Sequence, residues 1–161
     1  MYYRDCVAAV ARAPISDVIA AAEIGEVTPW TKYYDGKWEQ AGLGGDRSQL
    51  ANLGDLLHSD AAYGQASGRY IMSGFTSSGS PLGVWLSFSS DGLDWSERQW
   101  LNENTGMPTL SPYISIVGQD LEDNGVVNDK CWVFSGYSPD FDGTNVRTNL
   151  QHVYAQLIDP F

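Results

Sequence analysis

Apolar and polar residues alternate along much of the chain with a period of two. The clearest run is the one that contains Leu82, Val84, Leu86 and Phe88. Successive side chains of a β-strand point to opposite faces, so this run predicts a strand that is buried on one face. Shorter runs of the same kind are divided by Gly- and Ser-rich turns and cover residues 30–38, 58–63, 69–76, 97–101, 112–117, 130–137 and 152–158. The pattern predicts a fold of short antiparallel strands.

Two Asp-Gly pairs lie between strand patterns and predict hairpin turns. They are Asp35-Gly36 and Asp91-Gly92. Gly adopts a positive φ at little cost and Asp tolerates a tight turn, so this dipeptide favours a two-residue hairpin loop. Trp95 follows the second pair closely, and we expect its indole to fold back over the turn. Backbone geometry alone explains such a turn, so Asp91 and Trp95 are interpreted as structural residues rather than ligand-binding ones.

Two segments near the beginning of the chain allow a helix. Residues 2–10 fit a strand or a helix, whereas residues 14–25 predict a helix. Pro14 suits a first helical position and Gly25 a C-terminal stop. The apolar side chains of one helical face are Ile15, Val18, Ile19 and Ala22. We therefore expect this helix to pack on the outside of a sheet.

The predicted strands form two similar units, residues 58–101 and 111–158. Their spacing of about 45 to 50 residues is typical of the blades of a β-propeller. The sequence thus predicts one domain over residues 1–161, with an all-β fold. This fold is expected to be a partial β-propeller of about two to three antiparallel blades with one short helix. Residues before 58 would form the outer part of a third blade.

The composition restricts the possible partners. The formal net charge is −11 and the isoelectric point is about 4.3. Nucleic-acid binding needs clustered Lys and Arg, and anionic membranes attract basic segments, so neither partner is expected. Neutral sugars and cationic ligands remain compatible with this charge. The sequence contains no apolar run of the roughly 18 residues that a membrane helix needs, and residues 1–6 do not resemble a signal peptide.

Neither metal nor cofactor chemistry is indicated. Cys6 and Cys131 lie in apolar runs, and we expect buried free thiols, although a disulfide between them stays possible. The acidic residues 120–124 lack the Gly and the terminal Glu of an EF-hand loop. They are interpreted as a solvated loop.

Several stretches resemble a known family of carbohydrate-active enzymes. Residues 89–95, Ser-Ser-Asp-Gly-Leu-Asp-Trp, resemble the Asp-box hairpin of sialidase propellers. Four further stretches support the resemblance, namely residues 30–38, 42–45, 68–72 and 113–118, and the hairpin lies between the third and the fourth. This order is similar to bacterial five-bladed β-propeller glycoside hydrolases of the arabinanase, levansucrase and invertase type. A full ring needs about twice this length, so the resemblance implies the C-terminal part of a propeller or a minimal relative that completes its ring with another copy.

In such enzymes, carboxylates on the innermost strands flank the glycosidic bond, and two of them are required. Asp60 and His58 stand two positions apart on a predicted inner strand and would share a face, as an acid/base pair could. The inner strand of the second unit offers Tyr113 but no carboxylate. One carboxylate cannot complete the mechanism, so a solvated or structural Asp60–His58 pair is the alternative.

Three aromatic side chains are candidates for sugar binding, namely Trp30 and Tyr34, which loops flank, and Tyr113. Three functions stay open: a glycosidase-like propeller fragment, a noncatalytic carbohydrate-binding or adhesion module, and a structural interaction module. The resemblance makes a secreted or periplasmic location plausible. Two to three blades expose sheet edges, so a homodimer formed through blade edges is expected.

Overall fold

The computed structural model describes residues 8–53, 57–76, 83–101, 110–119, 125–128, 130–137 and 152–158. Within these ranges the chain forms strands and one short helix, and the predicted all-β class is confirmed. The helix is α1 (Ile15–Glu23). The strands are β1 (Ala11–Arg12), β2 (Thr31–Tyr34), β3 (Lys37–Ala41), β4 (Leu57–Gly64), β5 (Arg69–Thr76), β6 (Gly83–Ser89), β7 (Gln99–Trp100), β8 (Leu110–Gly118), β9 (Val126–Val127), β10 (Cys131–Tyr137) and β11 (His152–Ile158).

The strands form three sheets with the orders β1-β2-β3, β7-β6-β5-β4-β9 and β11-β10-β8. Neighbouring strands are antiparallel, except that β9 pairs in parallel with β4. Strands β4 to β7 pair in chain order as a meander. All three sheets are open in the described part of the chain, so the architecture is all-β without a ring of blades being shown.

The first Asp-Gly pair forms the predicted hairpin. Tyr34 pairs with Lys37 across a two-residue loop between β2 and β3. Asp35 has a φ of 47° and Gly36 a φ of 78°, and two successive positive φ values are typical of a type I′ turn. The right-handed twist of the two strands favours this turn.

Strand β6 is buried on both faces, and the prediction of a half-buried strand is wrong. All seven of its residues are buried. The face of β6 that carries Val84 belongs to a core that the second and third sheets share. The two sheets share this core because β8 packs against β4 and β5. The buried members of this core are Ala62, Ile71, Phe75, Val84, Leu86, Phe88, Ile114, Ile116, Val127, Cys131, Val133 and Ile158.

A second core covers the opposite face of β6. Leu50 and Leu53 pack there with Trp85 and Trp95. The segment that carries the two leucines begins beside the first sheet, where the Ser48 amide donates to the Tyr33 carbonyl at 3.0 Å. This segment therefore covers the second face of β6, which the alternating pattern of β6 does not predict. It also joins the first sheet to the second.

Helix α1 is shorter than predicted, and its apolar face is not packed on a sheet. Ile15 is 72% exposed, and no residue of the helix is buried. The chain that leaves the helix turns back along it, and the Thr28 hydroxyl donates to the Asp17 carbonyl at 2.7 Å. The helix thus lies against its own continuation, with Val18 and Ala21 half-buried. At nine residues, the helix found in the described ranges is too short to cross a bilayer.

The contact between Gly74 and Trp85 gives a testable constraint on the second core. The two residues are cross-strand partners, and a Cβ on Gly74 would overlap the indole ring. We expect Gly74→Ala to lower the free energy of unfolding by about 1–3 kcal/mol, the usual cost of overpacking. Urea unfolding followed by circular dichroism measures this.

The control for this prediction is the double variant Gly74→Ala/Trp85→Leu. Trp85→Leu removes the ring that the methyl group would strike, so the two changes should together cost less than the sum of their separate effects. Strict additivity, or an unaltered midpoint in Gly74→Ala, would contradict the packing described above.

Candidate functional site

Asp60 lies in β4, and both of its carboxylate oxygens accept hydrogen bonds from main-chain amides. Oδ1 accepts from its neighbour Ala61 at 2.9 Å. Oδ2 accepts from the Ile116 amide at 2.8 Å and from the Ser115 hydroxyl at 3.3 Å. Ile116 belongs to β8, an edge strand of the third sheet. The carboxylate of Asp60 therefore connects β4 of the second sheet to the edge strand β8 of the third sheet. Charge-assisted hydrogen bonds of this kind are stronger than neutral ones.

The proposed partner of Asp60 has only its backbone in the described structure. His58 lies in β4, but its side chain is outside the described residues. The pairing of β4 with β5 shifts register between Leu57 and Asp60. Strict alternation, on which a shared face for His58 and Asp60 depends, is interrupted by such a bulge. The acid/base pair stays a prediction.

Trp30 and Tyr34, two of the candidate sugar-binding residues, are both exposed. The Trp30 carbonyl accepts from the Gly42 amide at 2.7 Å, and a Cβ on Gly42 would lie only 2.8 Å from the Trp30 Cβ. Three residues separate the two aromatic residues in the chain, and the pairing of β2 with β3 shifts register between Lys32 and Tyr34. The Tyr113 side chain lies outside the described residues.

The turn at residues 89–95 is held by a network of side-chain and main-chain hydrogen bonds. Asp91 Oδ1 accepts from the amides of Leu93 at 2.8 Å and Asp94 at 2.9 Å. The Ser89 hydroxyl donates to the same oxygen at 3.0 Å. Trp95 is buried and its Nε1 donates to the Gly92 carbonyl at 3.1 Å, which confirms that the indole folds back over the turn.

These bonds determine the electrostatics of the turn. The amides of Asp94 and Leu93 point at the carboxylate and stabilise its charged form, so they lower the pKa of Asp91 below its ordinary value of 3.8. Three donors already occupy Oδ1, so this oxygen stabilises the loop.

Tyr63 and Tyr70 form an exposed aromatic pair that the sequence analysis missed. They are cross-strand partners on β4 and β5, and their ring centroids are 5.1 Å apart. The sequence did contain one indication that the two residues form a pair, because they flank the same Gly-containing turn over residues 64–69. Pattern alone assigned strand aromatics to the core, since it does not show which part of a sheet face is covered.

Metal ligands are not grouped in the described residues. No cluster of three or more His, Cys, Asp or Glu side chains that could hold an ion occurs there. Residues 120–124 and Cys6 lie outside the described ranges. Cys131 is a buried free thiol, as expected, and burial raises its pKa to about 11.

The pKa of Asp91 predicts an acid-sensitive turn. We expect Asp91→Ala to destabilise the protein at neutral pH, and Asp91→Asn less so, because Asn keeps one acceptor oxygen. The pKa is lowered in the fold, so the stabilising effect is present above 3.8 and is lost as the pH falls through the folded pKa. Urea unfolding at a series of acidic pH values should show the wild type and Asp91→Asn converging.

The matched control for Asp91 is Asp94→Asn, which removes an exposed carboxylate from the same turn. The hydrogen bond from Asp94 to Asp91 comes from the main-chain amide, so the unfolding midpoint of this variant at neutral pH should stay close to that of the wild type. An Asp91→Asn variant whose difference from the wild type stays constant down to the lowest pH would contradict the assignment.

The buried Cys131 predicts an inert thiol. In a Cys6→Ser background, Cys131 should react with an aromatic disulfide reagent at mildly alkaline pH at least about a hundredfold more slowly in the native than in the urea-unfolded protein, because the thiolate is the nucleophile. The folded pKa is raised from 9.0 to about 11, so stability should also fall as the pH rises above 9.0. Equal native and unfolded labelling rates would show that the thiol is accessible. The double variant Cys6→Ser/Cys131→Ala, which has no thiol, measures the background reaction of the reagent.

Comparison with known proteins gave no match to a family model, a curated protein or a solved structure. The resemblance to propeller glycosidases therefore stays a prediction that rests on short motifs.

Proposed function

We propose that this chain is a noncatalytic carbohydrate-binding protein built from propeller-type blades. One observation carries the proposal, namely that both oxygens of Asp60 bind main-chain amides. A general acid must exchange its proton with the substrate at hydrogen-bond distance. Asp60 is also the only carboxylate in β4 and β8 together, whereas glycoside hydrolysis uses two.

The arrangement of the strands supports the blade interpretation. Strands β4 to β7 form a four-stranded antiparallel meander, which is the form of a propeller blade. The sheet of β8, β10 and β11 packs on it through a shared core, as one blade packs on the next. Asp60 connects β4 with β8, the first strands of the two sheets. The parallel strand β9 is an addition to the blade pattern.

Surface chemistry supports a carbohydrate as the ligand. The turn at residues 89–95, whose sequence resembles an Asp-box, is closed by hydrogen bonds from the Asp94 amide to Asp91 and from the Trp95 indole to the Gly92 carbonyl. The exposed aromatic pair Tyr63 and Tyr70 offers ring faces on which the C–H side of a sugar can stack. The net charge of −11 is compatible with a neutral polymer and unfavourable for an anionic one.

Two measurements on the same protein test this proposal. Affinity gel electrophoresis with neutral arabinan, xylan and β-glucan should show retardation on at least one of them. Incubation with aryl arabinosides and aryl xylosides should release no aryl alcohol. Asp60→Asn should bind the retarding polysaccharide within about threefold of the wild type, since the carboxylate contacts protein and not ligand.

The matched control for Asp60→Asn is Glu97→Gln, which neutralises an exposed carboxylate in the connection just before β7. Turnover that Asp60→Asn abolishes and Glu97→Gln leaves intact would establish a glycosidase in place of a binding protein. Absence of retardation on all three polysaccharides would favour a structural interaction module.

A further inference from the structure

We propose that Tyr63 and Tyr70 are the platform on which a neutral pyranose oligosaccharide binds, an inference that rests on the proposed function. The two residues face each other across β4 and β5. The two residues are 37% and 39% exposed, and their rings meet edge to face at an interplanar angle of 60°. Large aromatic side chains on one strand face normally bury their rings, so a paired set left open is a distinct surface feature.

Two glycines keep the rings uncovered. The position of a Cβ on Gly68 would lie 3.8 Å from the Tyr63 hydroxyl, and that of a Cβ on Gly92 would lie 4.0 Å from Tyr70 Cε2. Both glycines have a positive φ, of 68° and 77°, which disfavours any replacement that carries a side chain. The backbone of the turn at residues 89–95 therefore borders the ring of Tyr70 without covering it.

The platform continues onto a third strand. Val126 of β9 is the register partner of Tyr63, and its side chain is also exposed. Neighbouring strands are about 4.8 Å apart, so the three positions span about 10 Å across the sheet. This surface is narrow, and it suits a short stretch of sugar rings better than a folded protein partner, whose interface is usually far larger.

The charges near the platform favour a neutral ligand. Arg69 adjoins Tyr70 in sequence, but its guanidinium lies 5.4 Å from the centre of the Phe88 ring, on the face of the first core. The cation next to the platform in sequence is thus directed at the Phe88 ring, and the net charge of −11 is unfavourable for a uronate or a sulfate.

The geometry of the ring pair favours a sugar over a quaternary ammonium cation as the ligand. A quaternary ammonium ligand is normally enclosed by several aromatic faces. Here one edge-to-face pair offers an open ring surface with two phenolic hydroxyls, which can donate and accept hydrogen bonds. A pyranose with equatorial hydroxyls presents C–H bonds to a ring face and hydroxyls at its rim, and it fits such a surface.

The experiment compares aromatic variants on soluble xylan and hydroxyethylcellulose by affinity gel electrophoresis. Tyr63→Ala and Tyr70→Ala should each weaken binding by about tenfold, because they remove stacking area. Tyr70→Phe should stay within about threefold of the wild type, since it keeps the ring. Trp30→Ala and Tyr34→Ala are the matched controls for exposed aromatics elsewhere and should bind normally. Polygalacturonate should not retard the wild type.

A second measurement uses the wild-type protein and does not depend on the variants folding. Nitration with tetranitromethane, mapped by mass spectrometry, should modify Tyr63 and Tyr70 in the free protein. Hydroxyethylcellulose oligosaccharides should protect these two tyrosines and leave Tyr34 reactive. Protection of Tyr34 in their place would overturn the site.

The outcomes distinguish this inference from the function on which it rests. In one outcome the wild type is retained, Trp30→Ala or Tyr34→Ala loses this retention, and the Tyr63 and Tyr70 variants keep it. This result overturns the platform and leaves carbohydrate binding intact. No retention of the wild type on xylan, hydroxyethylcellulose or arabinan overturns both, whereas retention on arabinan alone overturns the platform and leaves carbohydrate binding intact. Binding of tetramethylammonium that needs Tyr70, without any glycan binding, overturns the choice of ligand.

Discussion

The burial of β6 on both faces is the constraint on which the rest of the structure depends. Val84, Leu86 and Phe88 belong to the core that is shared with the third sheet, and Trp85 belongs to the core beneath the segment at residues 46–53. Truncation of a large apolar residue in such a position costs about 3–5 kcal/mol, against a total stability of about 5–15 kcal/mol for an ordinary domain. A single strand thus determines whether both cores form. Gly74 provides the space that Trp85 needs.

Several polar groups on β6 and after it form hydrogen bonds within the same unit. The Ser87 hydroxyl donates to the Ser96 carbonyl at 2.8 Å, and the Ser96 hydroxyl accepts from the Phe88 amide at 3.1 Å. Arg98 donates to the Thr76 hydroxyl at 3.1 Å and to the Leu53 carbonyl, with its guanidinium over the Trp85 ring. Buried polar groups that bond in this way avoid the cost of desolvation, and they fix the end of the meander against its cover.

Local features were predictable from the sequence, and features made by distant segments were not. The hairpin at Asp35-Gly36 follows from two residues whose backbone preferences match the turn. The cover over Trp85 comes from Leu50 and Leu53, more than thirty positions away, which periodicity within one strand cannot reveal. The apolar stripe of α1 predicted a packed helix, yet Ile15 is exposed because the helix lies along its own continuation.

The candidate site shows the same division between local and distant information. The residue type and strand position of Asp60 were evident in the sequence, but its bonds to Ile116 depend on how two sheets meet. The register shift before Asp60 also depends on the pairing with β5 and leaves no mark in the alternation. Tyr63 and Tyr70 were indistinguishable from core aromatics, because exposure of a sheet face is decided by what lies above it.

The bond between Asp60 and Ile116 has a consequence for self-association. An unpaired strand edge is a template that another chain can extend, and natural sheets often obstruct it with a charge. On β8 the Ile116 amide is already occupied by a carboxylate of the same molecule. A second molecule could add a strand there only by displacing that carboxylate and leaving a negative charge beside the new backbone. The residue that resembles a catalytic acid in the sequence thus occupies, in the folded chain, a main-chain donor that an added strand would need.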